Sequence, residues 1–168
     1  MKNAKCLNDT MRRSDRAMDE EGASALLKGG EYGTLGMIEE GGAPYLVQVN
    51  YAWDGGNAIY IHSATEGRKV DCLRRDGRVC FSITGGNRVL SSRFSEAYES
   101  VLLRGTAHEV PDGEEKLKAL RMLIDKYSPS FRERGYAYAQ KAGPKTLVFR
   151  IDVALWSAKR RVAPKEKK

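Results

Sequence analysis

Arg68 and Lys69 place two cations directly after Gly67, where the pattern changes from strand to helix. Residues 58–62 are apolar and rich in β-branched and aromatic types, which predicts a strand, and 64–75 have helical spacing. A helix start offers unpaired backbone N–H groups and the positive end of the helix dipole. A guanidinium and an ammonium beside it would complete a cradle for a phosphate monoester.

The same residues also permit a purely structural interpretation. Ser63 and Glu66 have the spacing of a capping box, which predicts that they cap the helix. Arg68 and Lys69 would then be solvated surface charges. If Glu66 occupies a backbone N–H, fewer donors remain for a ligand, although Gly67 lets a ligand approach the backbone closely. The local pattern leaves both interpretations open.

A family resemblance favours the phosphate site. Residues 60–69 (YIHSATEGRK), followed by 78–81 (RVCF), resemble the pyridoxamine 5′-phosphate oxidase-like flavoproteins, in the branch that contains the nitroimidazole-resistance proteins. The resemblance extends over about 32–156. It implies a split β-barrel that forms a homodimer with FMN at the subunit interface.

The resemblance also implies roles for individual residues. Arg68 and Lys69 would hold the FMN phosphate, and the strand around Asn50 would pass under the isoalloxazine. The candidate cofactor-binding residues are Val49, Asn50, Tyr51, His62, Ser63, Ala64, Gly67, Arg68, Lys69, Tyr98 and Trp156.

Three of these candidates keep a second interpretation. His62 would hydrogen-bond or pack against the cofactor, or take part in proton transfer beside it. Tyr98 would lie near the flavin or only begin a strand. Trp156 would stack on the flavin or close the core. No protein nucleophile is identified and no metal site is expected.

The pattern of elements predicts a mainly β protein, a six-stranded antiparallel split β-barrel. A turn at 39–42 and another at 54–57 link the first three strands, and 85–92 reads as a loop. A bend is expected near Gly105 in the long strand. The predicted strands are 32–38, 43–51, 58–62, 78–84, 98–110 and 146–155, and the predicted helices are 18–28, 64–75 and 112–127.

Length and charge predict one domain with two basic ends. The chain has 168 residues, 41% of them hydrophobic, and a net charge of +7. Residues 1–18 carry +3 and 158–168 carry +5, which leaves 19–157 at −1. We therefore expect a flexible segment at 1–17, an FMN-binding domain at 18–157 and a flexible tail at 158–168. A near-neutral body argues against a specific nucleic-acid interface.

Other sequence features narrow the setting and the function. The three cysteines lack CxxC spacing and no apolar stretch is long enough to span a membrane, which predicts a cytoplasmic protein with reduced thiols. No histidine follows His108, so the substrate motif of true pyridoxamine-phosphate oxidases is missing. The resemblance implies an FMN-dependent oxidoreductase of the nitroreductase kind, with NADH or NADPH as a candidate donor. The alternative is a non-catalytic protein that binds FMN or haem.

Overall fold

The computed structural model describes Met1 and residues 3–163. These residues form eight β-strands and four α-helices. The strands are β1 Lys5–Cys6, β2 Gly33–Ile38, β3 Pro44–Val49, β4 Ala52–Trp53, β5 Ala58–Ser63, β6 Arg78–Leu90, β7 Ser95–Glu109 and β8 Leu147–Arg161. The helices are α1 Glu20–Gly29, α2 Arg68–Arg75, α3 Glu114–Tyr127 and α4 Arg132–Ala142.

All eight strands belong to one sheet, so the fold is mixed α/β around a large, mainly antiparallel sheet. The strand order is β3-β2-β6-β7-β8-β5-β4, and β1 pairs with β8 in parallel. The strands at the two ends, β3 and β4, are consecutive in the chain and are separated only by Asn50 and Tyr51. The sheet must therefore curve back until its two ends nearly meet.

Strand β5 is buried on both faces, which explains its continuous apolar sequence. Ile59 and Ile61 belong to the main core inside the curved sheet. Ala58 and Tyr60 belong to a second cluster, which packs against Ala119 of α3. Because successive strand residues face opposite sides, β5 lies between the core and α3. This sandwich fixes the end of β5, where the candidate site begins.

The pairing of β7 with β8 is irregular near Gly105, where the sequence predicts a bend. The register shifts between Arg104 and Gly105, and Ala154 of β8 is the extra residue. A Cβ atom at Gly105 would lie 2.0 Å from the Asp152 carbonyl oxygen, so only glycine permits this close approach.

Several predicted elements are corrected by the structure. The predicted loop at 85–92 is wrong, because β6 continues to Leu90 after an irregularity between Gly85 and Arg88. Two short strands, β1 and β4, and the helix α4 were not predicted, so the expected count of six strands is wrong. Each missed strand has only two residues, too few for an alternating pattern.

The basic ends pack more closely than their charge suggests. Asn8 Oδ1 accepts from the Ala158 N–H at 2.9 Å, and Ala17 bridges to Lys159. Strand β8 continues to Arg161, so the expected boundary at 157 is wrong. Net charge indicated flexibility, but backbone pairing of β1 with β8 holds residues 5–6, and pairing of β8 with β7 holds residues 158–161. Residues 164–168 of the predicted tail lie outside the described residues. None of the described helices is long and apolar enough to cross a membrane.

Candidate functional site

The phosphate-type site lies at the start of α2, and the start differs from the predicted one. The helix begins at Arg68 with Gly67 as its N-cap, and no side chain caps it. The predicted capping box is wrong, because Ser63 is the last residue of β5 and pairs there with Leu147. The sheet holds Ser63 too early in the chain to cap the helix. The first backbone N–H groups of α2 therefore have no side-chain acceptor.

Gly67 has a backbone conformation that favours glycine. Its φ is 118°, in the region that side chains rarely adopt. A Cβ atom built on Gly67 would meet no atom within 4 Å, so the space beside the turn is open. Ala64 and Glu66, in the preceding loop, are exposed as well. A ligand can therefore approach the start of α2 from solvent.

Arg68 is held loosely. Its side chain is 69% exposed, with Nη1 3.4 Å from Glu39 Oε1 and the guanidinium 5.5 Å from the Tyr45 ring centroid. By contrast, Arg74 on the same helix makes two hydrogen bonds of 2.9 and 3.0 Å to Glu109 Oε2. A single exposed ion pair of this length contributes little to stability. Arg68 is therefore free to turn toward an anion.

Lys69 has an ammonium that meets a carbonyl. Its Nζ donates to the His62 backbone oxygen at 3.4 Å, and among the described residues no carboxylate lies within 4 Å. Partial burial lowers the pKa of Lys69 below its ordinary value. A bound anion would favour the charged form and oppose this shift. Asp71, also in the first turn, is an exposed carboxylate that a ligand must tolerate.

His62 and Asn50 meet at a cavity beside this helix start. The cavity has a volume of about 370 Å³ and lies between the end of β5 and the helices α3 and α4. Burial, and then the charge of Lys69, lower the pKa of His62, which favours a neutral imidazole. His62 is still exposed overall, so it stands at the mouth of the cavity. The apolar part of the cavity lining consists of Leu120, Leu123, Ile124, Tyr138, Ala139 and Ala142.

The sequence interpretation missed Tyr127, the last residue of α3. Its hydroxyl oxygen accepts from the Tyr51 N–H at 3.0 Å and lies 2.7 Å from the Glu31 carbonyl oxygen and 3.1 Å from that of Tyr51. Tyr127 thus ties α3 to the two-residue connection between β3 and β4, and it holds Asn50 beside the cavity. A tyrosine at the end of a helix carries no local signal for such a contact.

The remaining candidates do not all converge. Val49 and Tyr51, on either side of Asn50, are buried in the core, as is Trp156, which is 5% exposed. Tyr98 pairs with Arg161, whereas Ser63 pairs with Leu147 at the other end of β8. Fourteen residues of strand span about 45 Å of path. Within one chain, the structure therefore brings neither Tyr98 nor the Trp156 ring to Arg68.

The family model for pyridoxamine 5′-phosphate oxidase matches residues 19–160. The chain belongs to this family. A comparison of the sequence with curated proteins gives no significant match.

Solved structures share the fold of this pyridoxamine 5′-phosphate oxidase family member. A candidate 5-nitroimidazole antibiotic resistance protein of Bacteroides thetaiotaomicron is 23% identical, with a TM-score of 0.70 and 86% of each chain covered. A FAD- and haem-binding protein of Mycobacterium smegmatis is 21% identical, with a TM-score of 0.77 over 91% of this chain and 76% of its own. A conserved hypothetical protein of Mycobacterium tuberculosis is 21% identical, with a TM-score of 0.76 over 94% and 99%.

Proposed function

We propose that the protein binds FMN and is a flavin-dependent oxidoreductase. The observation that carries the proposal is the uncapped start of α2, where Arg68 is loosely paired and the Lys69 ammonium has a carbonyl in place of a carboxylate. Helix N–H groups, a guanidinium and an ammonium together match a phosphate dianion. Membership of the pyridoxamine 5′-phosphate oxidase family supports a flavin as the ligand.

FMN is proposed over FAD because its phosphate is terminal. A terminal phosphate carries about two negative charges near neutral pH, as phosphate monoesters do in proteins, and two cations match them. The phosphates of FAD are bridging, so each carries less charge. The relative from Mycobacterium smegmatis is described as binding FAD and haem, so FAD and haem are the two ligands to compare.

The chain's own residues would bind and orient the cofactor. A bound flavin supplies hydride or electron transfer between a donor, for which NADH and NADPH are candidates, and a small electron-poor acceptor. Arg68 and Lys69 would hold the phosphate, while Ser63 and Ala64 line the approach. Asn50 and His62 would meet the ring, and a neutral His62 can accept a proton at a free ring nitrogen.

A second copy of the chain would complete the site. Val89 and Phe94 are 74% and 99% exposed and line the same groove as Tyr98. This exposed apolar patch would be covered in a symmetric homodimer with an isologous interface. Such a dimer, a pair of split barrels with the flavin between them, is the arrangement in which a Tyr98 can approach a flavin held by Arg68 of the other copy.

The binding test uses charge removal at the start of α2. Each charge-assisted contact contributes about 1.5–3 kcal/mol, so Arg68→Ala and Lys69→Ala should each weaken FMN binding by about tenfold or more. Arg74→Ala is the matched control, because Arg74 lies on the same helix and pairs with Glu109. Calorimetric titration of FMN, FAD and haem into folded protein ranks the three ligands. A wild-type protein that takes up no FMN contradicts the proposal.

A non-catalytic flavin- or haem-binding protein is the second candidate. Among the described residues that line the cavity, the titratable groups are His62 and the phenols of Tyr127 and Tyr138, so proton transfer near neutral pH has few participants. Its neutral imidazole at an apolar wall also suits a haem iron. Anaerobic mixing of the flavin-loaded protein with NADH and NADPH, followed by nitroaromatic and quinone acceptors, separates the two candidates. If neither donor bleaches the flavin and chemically reduced protein reduces no acceptor, the binding role is the correct one.

A further inference from the structure

The cavity beside Asn50 and His62 has a mostly apolar wall. Leu120 and Leu123 come from α3, and Ala139 and Ala142 come from α4. Ala139 and Leu123 are buried, so this wall belongs to the packed interface between the helices and the sheet. A volume of about 370 Å³ is at the small end of ligand cavities, which run from about 300 to 1,000 Å³. The cavity therefore suits a molecule of one or two rings.

Three polar residues reach this cavity from the ends of strands. Asn50 and His62 lie where β3 and β5 end, and Thr146 precedes β8. Thr146 Oγ1 already donates to the Ala142 carbonyl at 3.2 Å, so its lone pairs are available as acceptors. The Asn50 amide offers both donors and an acceptor. A ligand with an apolar body and one hydrogen-bonding end would match both parts of the wall.

Charge is missing from the cavity lining. Among the described residues that line it, none is Asp, Glu, Lys or Arg. Arg68 and Lys69 lie at the neighbouring helix start and are not part of the lining. An ion in the cavity would lose hydration without gaining an opposite charge, which is costly. Tyr127 and Tyr138 contribute aromatic walls, which favour a planar partner.

We propose that this cavity binds the acceptor of the reaction, a small, planar, uncharged molecule with an apolar ring and one polar substituent. Asn50 and His62 line the cavity and are also the residues proposed to meet the flavin ring, so a ligand there would adjoin that ring. The assignment to an acceptor rests on the proposed function. The selectivity for uncharged rings rests on the cavity lining alone.

The test compares two probes of similar shape and different charge, nitrobenzene and benzoate. Ligand-observed NMR titrations are run on the full chain, first with FMN bound and then without it. We expect benzoate to bind at least about tenfold more weakly than nitrobenzene, because its charge would be buried unpaired. Ala142→Leu should weaken nitrobenzene binding by at least about tenfold, since the larger side chain fills the cavity. FMN affinity should be unchanged in that variant.

Ala137→Leu is the control, because Ala137 is exposed on the same helix. If Ala142→Leu does not fold, Tyr138→Ala replaces it, since Tyr138 is 71% exposed at the cavity mouth and its loss should also weaken nitrobenzene binding. Equal binding of benzoate, or unchanged nitrobenzene binding in the cavity variant, overturns the proposal. So does competition between FMN and nitrobenzene, which would assign the cavity to the flavin. Failure of FMN to bind, with the probe results as expected, overturns the proposed function and leaves the cavity's selectivity intact.

Discussion

Lys126 carries its ammonium into an enclosure formed by aromatic rings. Its Nζ lies 3.5 Å from the Tyr51 ring centroid and 5.4 Å from that of Tyr127. The atom is buried and has no hydrogen-bond partner among the described residues. The ring faces attract the cation, but burial removes its hydration. Burial prevails and lowers the pKa of Lys126 to about 8, from an ordinary value of 10.5.

This lowered pKa predicts a pH-dependent stability. Between pH 8 and 10.5 the unfolded chain holds a proton on Lys126 that the folded protein has released. The free energy of unfolding should therefore rise with pH through this window. Below pH 8, the buried charged form of Lys126 destabilises the folded protein. Lys126→Met removes this contribution. Urea unfolding from pH 7 to 10 should show that the variant has the larger free energy of unfolding at pH 7 and that this advantage over the wild type shrinks as the pH rises. An advantage that stays constant with pH would contradict the prediction.

At the scale of elements, the start of α2 depends on one backbone conformation. Gly67→Ala puts a side chain at a φ of 118°, which costs of the order of 1–3 kcal/mol. Because the Cβ meets open space, the cost is conformational and not steric. We expect a lower free energy of unfolding and weaker FMN binding, since the first turn of α2 would shift.

Gly29→Ala is the matched control for this prediction. Gly29 ends α1 without a positive φ, and a Cβ there also meets open space. Chemical denaturation should show that this variant is as stable as the wild type or slightly more stable. Equal stability losses in both variants would show that backbone conformation at Gly67 is not the cause.

Elements whose burial is one-sided were predictable from sequence. The alternation in residues 43–51 matches β3, and the alternation in residues 146–155 matches the first part of β8, where Phe149, Ile151 and Val153 face the main core. The ends of elements depend on partners that local sequence does not show. Ser63 looked like a helix cap but is held by Leu147, 84 positions later in the chain. Strand β6 continues past Gly85 because β7 pairs with it there.

The candidate site was predictable where its residues are close in sequence. Lys69 contacts His62 because a short loop joins β5 to α2. Asn50 lies beside His62 at the cavity only because the curved sheet returns β3 to β4. Tyr127 could not be predicted, because its role comes from contacts with residues far away in the sequence. For Trp156 the sequence left two interpretations, stacking on the flavin or closing the core, and the structure places its side chain in the core.

At the scale of the whole molecule, we expect a homodimer. Light scattering coupled to size-exclusion chromatography should give twice the chain mass of 18.7 kDa. Phe94→Asp places a charge in the exposed patch, at a left-handed backbone position that Asp tolerates, and should shift the mass toward the monomer. FMN affinity should fall with it, because the flavin loses its second wall.

Phe131→Asp is the control for the dimer prediction. Phe131 is 66% exposed and lies between α3 and α4, away from the groove that contains Phe94. This variant should keep the dimer mass and the FMN affinity. A wild-type monomer that retains tight FMN binding would rule out a site shared between two copies.

Strand β8 is synthesised last, so the sheet can be completed only late in translation. It follows every other strand in the chain, yet it lies between β7 and β5 and also pairs with β1. While residues 147–161 are still inside the exit tunnel, the nascent chain can form the part of the sheet with the order β3-β2-β6-β7 but has unpaired edges on β7 and β5. Such edges pair readily with other chains. Ribosome-stalled chains with a C-terminal linker long enough to expose residues 147–161 should therefore aggregate less than stalled chains whose shorter linker keeps these residues in the tunnel.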